Sequence, residues 1–374
     1  MPIKPSIYRI ALAGLGNVGH VVLSILHREK KMFQERYGVQ FQVVGVAEVD
    51  GCAIDEDGLD LSQLLTALSE KSSIAALPIV GRKGMNAIEL LQKMPVDIFL
   101  EATPVNLQDG LPGLEHVKTA LQRNFHVVLA NKGPVCLEYQ ELAKMSDLGL
   151  GWGGNYNPNA LFTSKTETKT YPKLRFSACV AGSLPAINMG WRDLAGCRIQ
   201  RLEAVFNGTT QYILREMEVG KSYQTALEDA QARGIAEADP SLDVEGWDAA
   251  AKLVIAANAV LGQVTELSDV DVQGIQALDN ATVQKSSAKG ERMVLVCLAK
   301  LVNGHYQLSV RPQSLPLDHP LSRLTPDEMG AVYYTEDVER LSVASSEPGP
   351  EPAAAAMIRD VLEIVYSEIT TRRN

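Results

Sequence analysis

YRIALAGLGNVGHVVLSIL, residues 8–26, decides the fold. An apolar run, Ile10 to Ala13, leads into Gly14-x-Gly16-x-x-Gly19, and the helix-like VVLSIL follows. The order is strand, tight turn, helix. Glycines at these places let the backbone turn and come close to a pyrophosphate. The N-terminus of the following helix offers unpaired N–H groups and the positive end of its dipole. The glycines Gly14, Gly16 and Gly19 are therefore candidates for the approach to a phosphate, and the segment predicts a dinucleotide site.

Further units of the same kind follow. FQVVGVAEVD (41–50) reads as a second strand ending in Glu48 and Asp50. An acid at that strand end can bond the adenosine ribose and repel a 2′-phosphate. The distance from Gly14 to Glu48 is longer than usual, and the helical-looking insert REKKMFQERYG (28–38) explains it. Glu48 is the better candidate because it comes first after the apolar run; a solvated strand-end acid is the alternative. VDIFLEATP (96–104) is a strand ending at Thr103-Pro104, and HVVLANKGPV (126–135) is a strand ending at Asn131-Lys132. Residues 113–123 pattern as an amphipathic helix. In an open parallel sheet, ligands sit at the C-terminal ends of strands. The glycine turn, Glu48, Thr103 and Lys132 all fall at such ends.

The chain has 374 residues, long enough for two domains. A run rich in Gly and Asn at 146–158, SDLGLGWGGNYNP, marks the boundary. The expected architecture is α/β: a Rossmann-type doubly wound parallel sheet, residues 1–150, and an α+β substrate-binding and dimerisation domain, residues 151–345. The closing helix, about 350–374, is expected to pack back on the first domain. In the second part, LRFSACVAGSLPAI (174–187) patterns as a strand, and RLEAVFNGTTQYILREM (201–217) as strand, turn and helix. YQLSVRPQSL (306–315) and GAVYYTE (330–336) pattern as strands. Ser222 can cap a helix that stops at Gly234.

Bulk composition excludes some classes of function. A net charge of −10 argues against a nucleic-acid binder. No run of about 18 apolar residues predicts a membrane span, and no leader pattern opens the chain, so a cytoplasmic protein is expected. Five scattered cysteines without a CxxC read as reduced thiols.

One stretch carries more chemistry than the fold needs. GIAEADPSLDVEGWDAAAKL (234–253) places Glu237, Asp239, Asp243, Glu245 and Asp248 ahead of Lys252. A helix is expected from about Val244 or Gly246 to Leu261. Asp248 and Lys252 share one face four residues apart, and the helix becomes apolar all round beyond them. Lys252 then sits where a solvated face gives way to a buried one. A lysine there, steadied by Asp248, can exchange a proton with an alcohol whose carbon loses hydride. Loop carboxylates beside it could grip an ammonium group. An exposed acidic loop with an ordinary surface ion pair is the plainer alternative.

Together these motifs resemble homoserine dehydrogenase. GLGNVG (14–19), EATPVN (101–106), ANKGPV (130–135) and NGTTQYIL (207–214) occur in that family's order. The 230–252 segment fits A-x-x-x-G-I-x-E-x-D-P-x-x-D-V-x-G-x-D-x-x-x-K at every fixed position. The resemblance implies NAD(P)-linked interconversion of L-homoserine and L-aspartate 4-semialdehyde. It implies Lys252 as proton donor, Asp248 as its orienting group, and Lys132 near the nicotinamide and the reacting oxygen. It further implies Glu237 and Asp243 on the substrate, Gly14, Gly16, Asn17, Val18 and Gly19 on the cofactor phosphates, Thr103 near the nicotinamide, and a homodimer formed through strands near 171–180 and 306–336.

The chain also departs from the family pattern. Many members bind a monovalent cation such as Na+ with help from a glutamate where Ser177 stands. The backbone carbonyls of Val180, Gly182 and Leu184 could still hold one. Ala181-Gly182-Ser183 replaces a glycine-richer run, NGTTN becomes NGTTQ at Gln211, and Glu347-Pro348-Gly349-Pro350 stands where a glycine-rich loop is common. An appended ACT domain, and threonine inhibition through it, are not expected. Glu48 and Asp50, with no arginine directly after them, favour NAD over NADP; Arg82 and Lys83 could reverse that. A dehydrogenase of a related small hydroxy acid, or an inactive dinucleotide-binding homologue, remain as alternatives.

Overall fold

The computed structural model describes residues 5–150 and 171–373, so most of the expected boundary at 146–158 lies outside the described residues. The chain forms two compact units. Among the described residues the first holds 5–150, 171–182 and 350–373, and the second holds 183–349.

The first unit is built on seven strands: β1 (Ser6–Ala13), β2 (Val39–Glu48), β3 (Gly51–Ile54), β4 (Gly81–Lys83), β5 (Ile98–Glu101), β6 (His126–Leu129) and β7 (Leu174–Arg175). Their order is β4-β3-β2-β1-β5-β6-β7. The central pairings are parallel, and the β2-β3-β4 edge is antiparallel. Ile10, Leu12, Ile98, Leu100 and Val128 are buried, as continuous apolar strands covered on both faces require. The chain moves outward from β1 to β2, then returns to the other side of β1 at β5. That reversal opens a crevice at the strand ends.

Helix Asn17–Arg28 buries Val22, Leu23 and Leu26 in this core. The C-terminal helix Glu351–Arg373 adds Met357, Val361, Ile364 and Val365 to it. The strand expected through 174–187 survives only as β7. After it the N–H and hydroxyl of Ser177 both donate to Asp360 on the C-terminal helix, at 2.8 and 2.7 Å. That takes the backbone out of ladder geometry. A 3₁₀ turn follows at Ser177–Cys179, and Ala181 and Gly182 then adopt φ of 60° and 58°.

The second unit has a six-stranded sheet of β8 (Ile199–Val205), β9 (Val270–Val272), β10 (Glu291–Val302), β11 (His305–Pro316), β12 (Glu328–Thr335) and β13 (Arg340–Ser346). The order is β13-β12-β8-β10-β11-β9. Helices Gly208–Glu218, Trp247–Ala259 and Asn280–Ala288 pack on it.

The helix expected from 244 or 246 to 261 runs Trp247–Ala259 with Gly246 at its N-cap, and a separate short helix, Ser241–Val244, precedes it. Two features keep them apart. The Val244 carbonyl accepts from Ile275 N–H (2.9 Å), so it cannot serve the ladder. Gly246 adopts φ 90°, which a side chain disfavours. Beyond the break, Ala249 to Ala259 are buried apart from Lys252.

Candidate active site

In the first unit the glycine turn sits at the β1/β5 reversal. Gly14 N–H donates to Ala47 on β2 (3.0 Å), and Ala102 N–H donates to Ala13 (2.8 Å). Gly14 has φ 89°, and a Cβ there would lie 2.4 Å from the Ala102 carbonyl carbon. A Cβ on Gly19 would lie 2.0 Å from the Gly14 carbonyl oxygen. Both are glycine for internal reasons. Gly16 is different. It precedes helix Asn17–Arg28 with φ −66° and ψ −161°, and a Cβ there would meet nothing within 4 Å. No side chain caps the helix. Open space in front of unpaired N–H groups suits a bound pyrophosphate.

Glu48 ends β2, half-buried. Burial and the neighbouring Asp50 raise its carboxyl above the ordinary carboxylate range. Of the two cations that could reverse its selectivity, Arg82 donates to the carbonyls of Ile79 (2.6 Å) and Gly81 (2.8 Å).

The Thr103 and Lys132 loops are tied together beneath the surface. Glu101, fully buried at the end of β5, accepts from Thr103 N–H (2.9 Å) and from the Thr103 hydroxyl. Its other oxygen lies 2.8 Å from His116 Nδ1. Asn131 donates to Thr103 Oγ1 (3.1 Å) and accepts from Gly133 N–H (3.0 Å), so its side chain spans Lys132. Lys132 itself is half-buried at the start of helix Gly133–Leu137. The Thr103 hydroxyl is thus already a donor and an acceptor within the protein.

In the second unit, Lys252 Nζ donates to Asp248 Oδ2 (2.7 Å) and to the Phe206 carbonyl (2.6 Å). Both side chains of the ion pair are largely buried, at 14% and 11% exposure, unlike a solvated i,i+4 pair. Asn207 Nδ2 donates to Asp243 Oδ1 and to Asp248 Oδ2, each at 2.7 Å. The same Asn207 caps helix Gly208–Glu218 through Thr210 N–H (2.8 Å). Burial, then Asp248, raises the Asp243 carboxyl, while bonds from Asn207 and Thr209 hold it down. With both carboxylates ionised, two anions and one ammonium leave the cluster net negative, which suits a cationic group on a ligand.

The sequence-predicted residues are therefore partly assembled. Asp243, Asp248 and Lys252 form one hydrogen-bonded group. Glu237 is exposed on the preceding loop and does not join it. Asp239 instead fixes the turn, accepting from Ser241 N–H (3.1 Å). Asn207 and the Phe206 carbonyl were not singled out, although an Asn before Gly-Thr-Thr is a legible cap. Nothing in local sequence marks Glu101, His116 or Asn131 as partners. At the carbonyls expected to hold a cation, Leu184 already accepts from Ala186 N–H (2.8 Å). Ser177 is committed to Asp360 and supplies no carboxylate.

Two family models match the chain: homoserine dehydrogenase over residues 185–362, and the NAD binding domain of homoserine dehydrogenase over residues 14–148. A homoserine dehydrogenase of Methanocaldococcus jannaschii is 32% identical, over 96% of this chain and 98% of its own. An NAD(+)-dependent homoserine dehydrogenase of Pseudomonas canavaninivorans is 30% identical, over 96% and 97%. The fold matches that of a hyperthermophilic archaeal homoserine dehydrogenase solved in complex with NADPH. That comparison has a TM-score of 0.76 and 23% identity, and covers 96% of this chain and 98% of the other.

Proposed function

The chain belongs to the homoserine dehydrogenase family and carries its reaction, the NAD(P)-dependent interconversion of L-homoserine and L-aspartate 4-semialdehyde; from that premise we propose how its residues divide the work. The reaction lies on the route from aspartate to threonine and methionine. The observation that carries the division is the buried group of Asp243, Asn207, Asp248 and Lys252.

The nicotinamide, when bound, supplies or accepts the hydride at the substrate carbon. Lys252 handles the proton. In the reducing direction its ammonium donates to the aldehyde oxygen; in the oxidising direction the amine takes that proton back. Two of its N–H bonds are held by Phe206 and Asp248, which aims the third. Asp248 orients Lys252. Asp243 takes the substrate's ammonium; Glu237, outside the hydrogen-bonded group, would reach it only from its exposed loop. Lys132 is the second cation, assigned to stabilise the reacting oxygen. Gly14, Gly16, Asn17, Val18 and Gly19 hold the phosphates. Thr103, its hydroxyl already engaged, serves the nicotinamide end through its backbone and methyl.

NAD is the preferred cofactor in this reading, because Glu48 closes the ribose end of β2 and Arg82 is engaged elsewhere. A monovalent cation on the carbonyls of Val180, Gly182 and Leu184 would have no carboxylate from position 177; comparing rates in Na+ and in a large organic cation tests for it. A homodimer would use the strands near 171–180 and 306–336, where β11 presents Gln307, Ser309 and Arg311 beside a groove; a monomer in sedimentation would refute it. Among the described residues no helix is long and apolar enough to cross a membrane, and we place the enzyme in the cytoplasm.

The deciding experiment follows nicotinamide absorbance with L-homoserine, using NAD and NADP separately. Turnover is expected with a higher rate on NAD. Lys252→Ala should lower kcat by about 10²–10⁴-fold with folding intact. A near-normal rate in that variant would remove Lys252 from the mechanism.

A further inference from the structure

The polar network under the first unit's strand ends has a member that no role above uses. His116 lies on helix Gly113–Gln122, 7% exposed, with its ring edge-on to Phe99 and its Nδ1 on Glu101. Glu101 is a carboxylate at 0% exposure. Burying such a group is costly unless it is bonded. Here every bond it accepts comes from a neighbour with a purpose. One oxygen takes the N–H and hydroxyl of Thr103, and the other faces His116 Nδ1. His116 Nδ1 and Glu101 Oε2 share one hydrogen bond inside the fold. A Cβ built on Gly113, the first residue of that helix, would lie 3.3 Å from Glu101 Oε1 and 2.4 Å from Asn131 Nδ2. The carboxylate therefore sits against a helix N-terminus, whose dipole also favours negative charge. The chain of contacts runs His116, Glu101, Thr103, Asn131, Gly133, and it encloses the peptide that carries Lys132.

We propose that His116 and Glu101 are positioning residues for the dinucleotide. His116 fixes the Glu101 carboxylate, and Glu101 sets the Thr103 and Asn131 loops, and with them Lys132, in one register. Neither group touches substrate or cofactor. Asn131 completes the span: its amide donates to the Thr103 hydroxyl and the Pro104 carbonyl and accepts the Gly133 N–H. Because the two loops share one buried carboxylate, disturbing it displaces both together. The inference rests on the reading that these loops receive the dinucleotide, and the test separates the two.

The test uses the full chain with three variants: His116→Leu, His116→Gln, whose amide can still donate to Glu101, and Gly113→Ala, which crowds Asn131 without changing any charge. Gly16→Ala is the control for dinucleotide binding itself. The readouts are kcat, KM for NAD, KM for homoserine, NADH binding by fluorescence, and Tm. A merely structural role lowers the active fraction and Tm and leaves KM for NAD in place. The proposal expects KM for NAD to rise about tenfold in His116→Leu and in Gly113→Ala, with KM for homoserine moving much less, and His116→Gln to recover most of the loss. Unchanged KM for NAD in folded His116→Leu and Gly113→Ala, with Gly16→Ala impaired, overturns it. Normal NADH binding by Gly16→Ala would instead overturn the reading beneath it.

Discussion

Asn207 shows how one side chain can set the chemistry of a site. Its amide nitrogen separates two carboxylates that would otherwise repel, and its oxygen caps a helix. The roles can be split. Asn207→Ala loses the cap, a cost of about 1 kcal/mol, and also the donor. Asn207→Asp keeps an acceptor for the cap but sets a third carboxylate against the other two, so it should be the less active variant. The Asp243 carboxyl is raised by burial and Asp248 and lowered by Asn207. A raised carboxyl keeps its proton to higher pH, and only the ionised form attracts the substrate's ammonium. The acid limb of kcat/KM for homoserine should thus lie above the ordinary carboxylate range and move higher still in Asn207→Ala. An acid limb that stays put in that variant would detach Asp243 from substrate binding.

At the scale of the element, the glycine turn makes a prediction because its glycines have different reasons. Gly14→Ala forces φ 89° on a side chain and drives a Cβ into the Ala102 backbone. It should destabilise the protein by more than about 1 kcal/mol. Gly16→Ala meets no protein atom within 4 Å at a permitted φ. It should leave stability unchanged or raise it by about 0.4–1 kcal/mol, yet weaken dinucleotide binding where the methyl blocks the pyrophosphate. Urea unfolding with NADH titration distinguishes the two; equal effects of both substitutions on binding and stability would refute the assignment. The sequence showed this turn because its elements are local. It gave β2 and its acid for the same reason. It overextended the 174–187 strand, since the interrupting group, Asp360, lies 183 residues away from its partner Ser177 in sequence.

Across the whole molecule, the C-terminal helix brings a charge into the first unit's core. Asp360 is fully buried, and burial pushes its carboxyl up to about 6 despite two bonds from Ser177. The folded state then holds that proton more tightly than the unfolded chain. Its contribution is fully present below the ordinary carboxylate range and is lost as pH rises through about 6. Over that window the wild type should lose up to roughly 3 kcal/mol relative to Asp360→Asn. Urea unfolding of both proteins from pH 4 to pH 7 measures the difference, and a constant difference would show that Asp360 does not titrate in the fold.

What the sequence determined by itself was set by short-range order: the strand–glycine–helix unit, the acids at strand ends, the Ser222 cap, and the Asp248–Lys252 pair on one helical face. Periodicity and spacing encode such features because their partners are within a few residues. The tertiary structure decided which polar groups meet. Asn207 reaches Asp243 and Asp248 across 36 and 41 residues, and Glu101 binds Thr103 nearby but His116 from another element. It also set Glu237 outside the cluster that spacing suggested it would join. A buried charge takes whatever partner packing brings to it, and packing is a property of the whole chain.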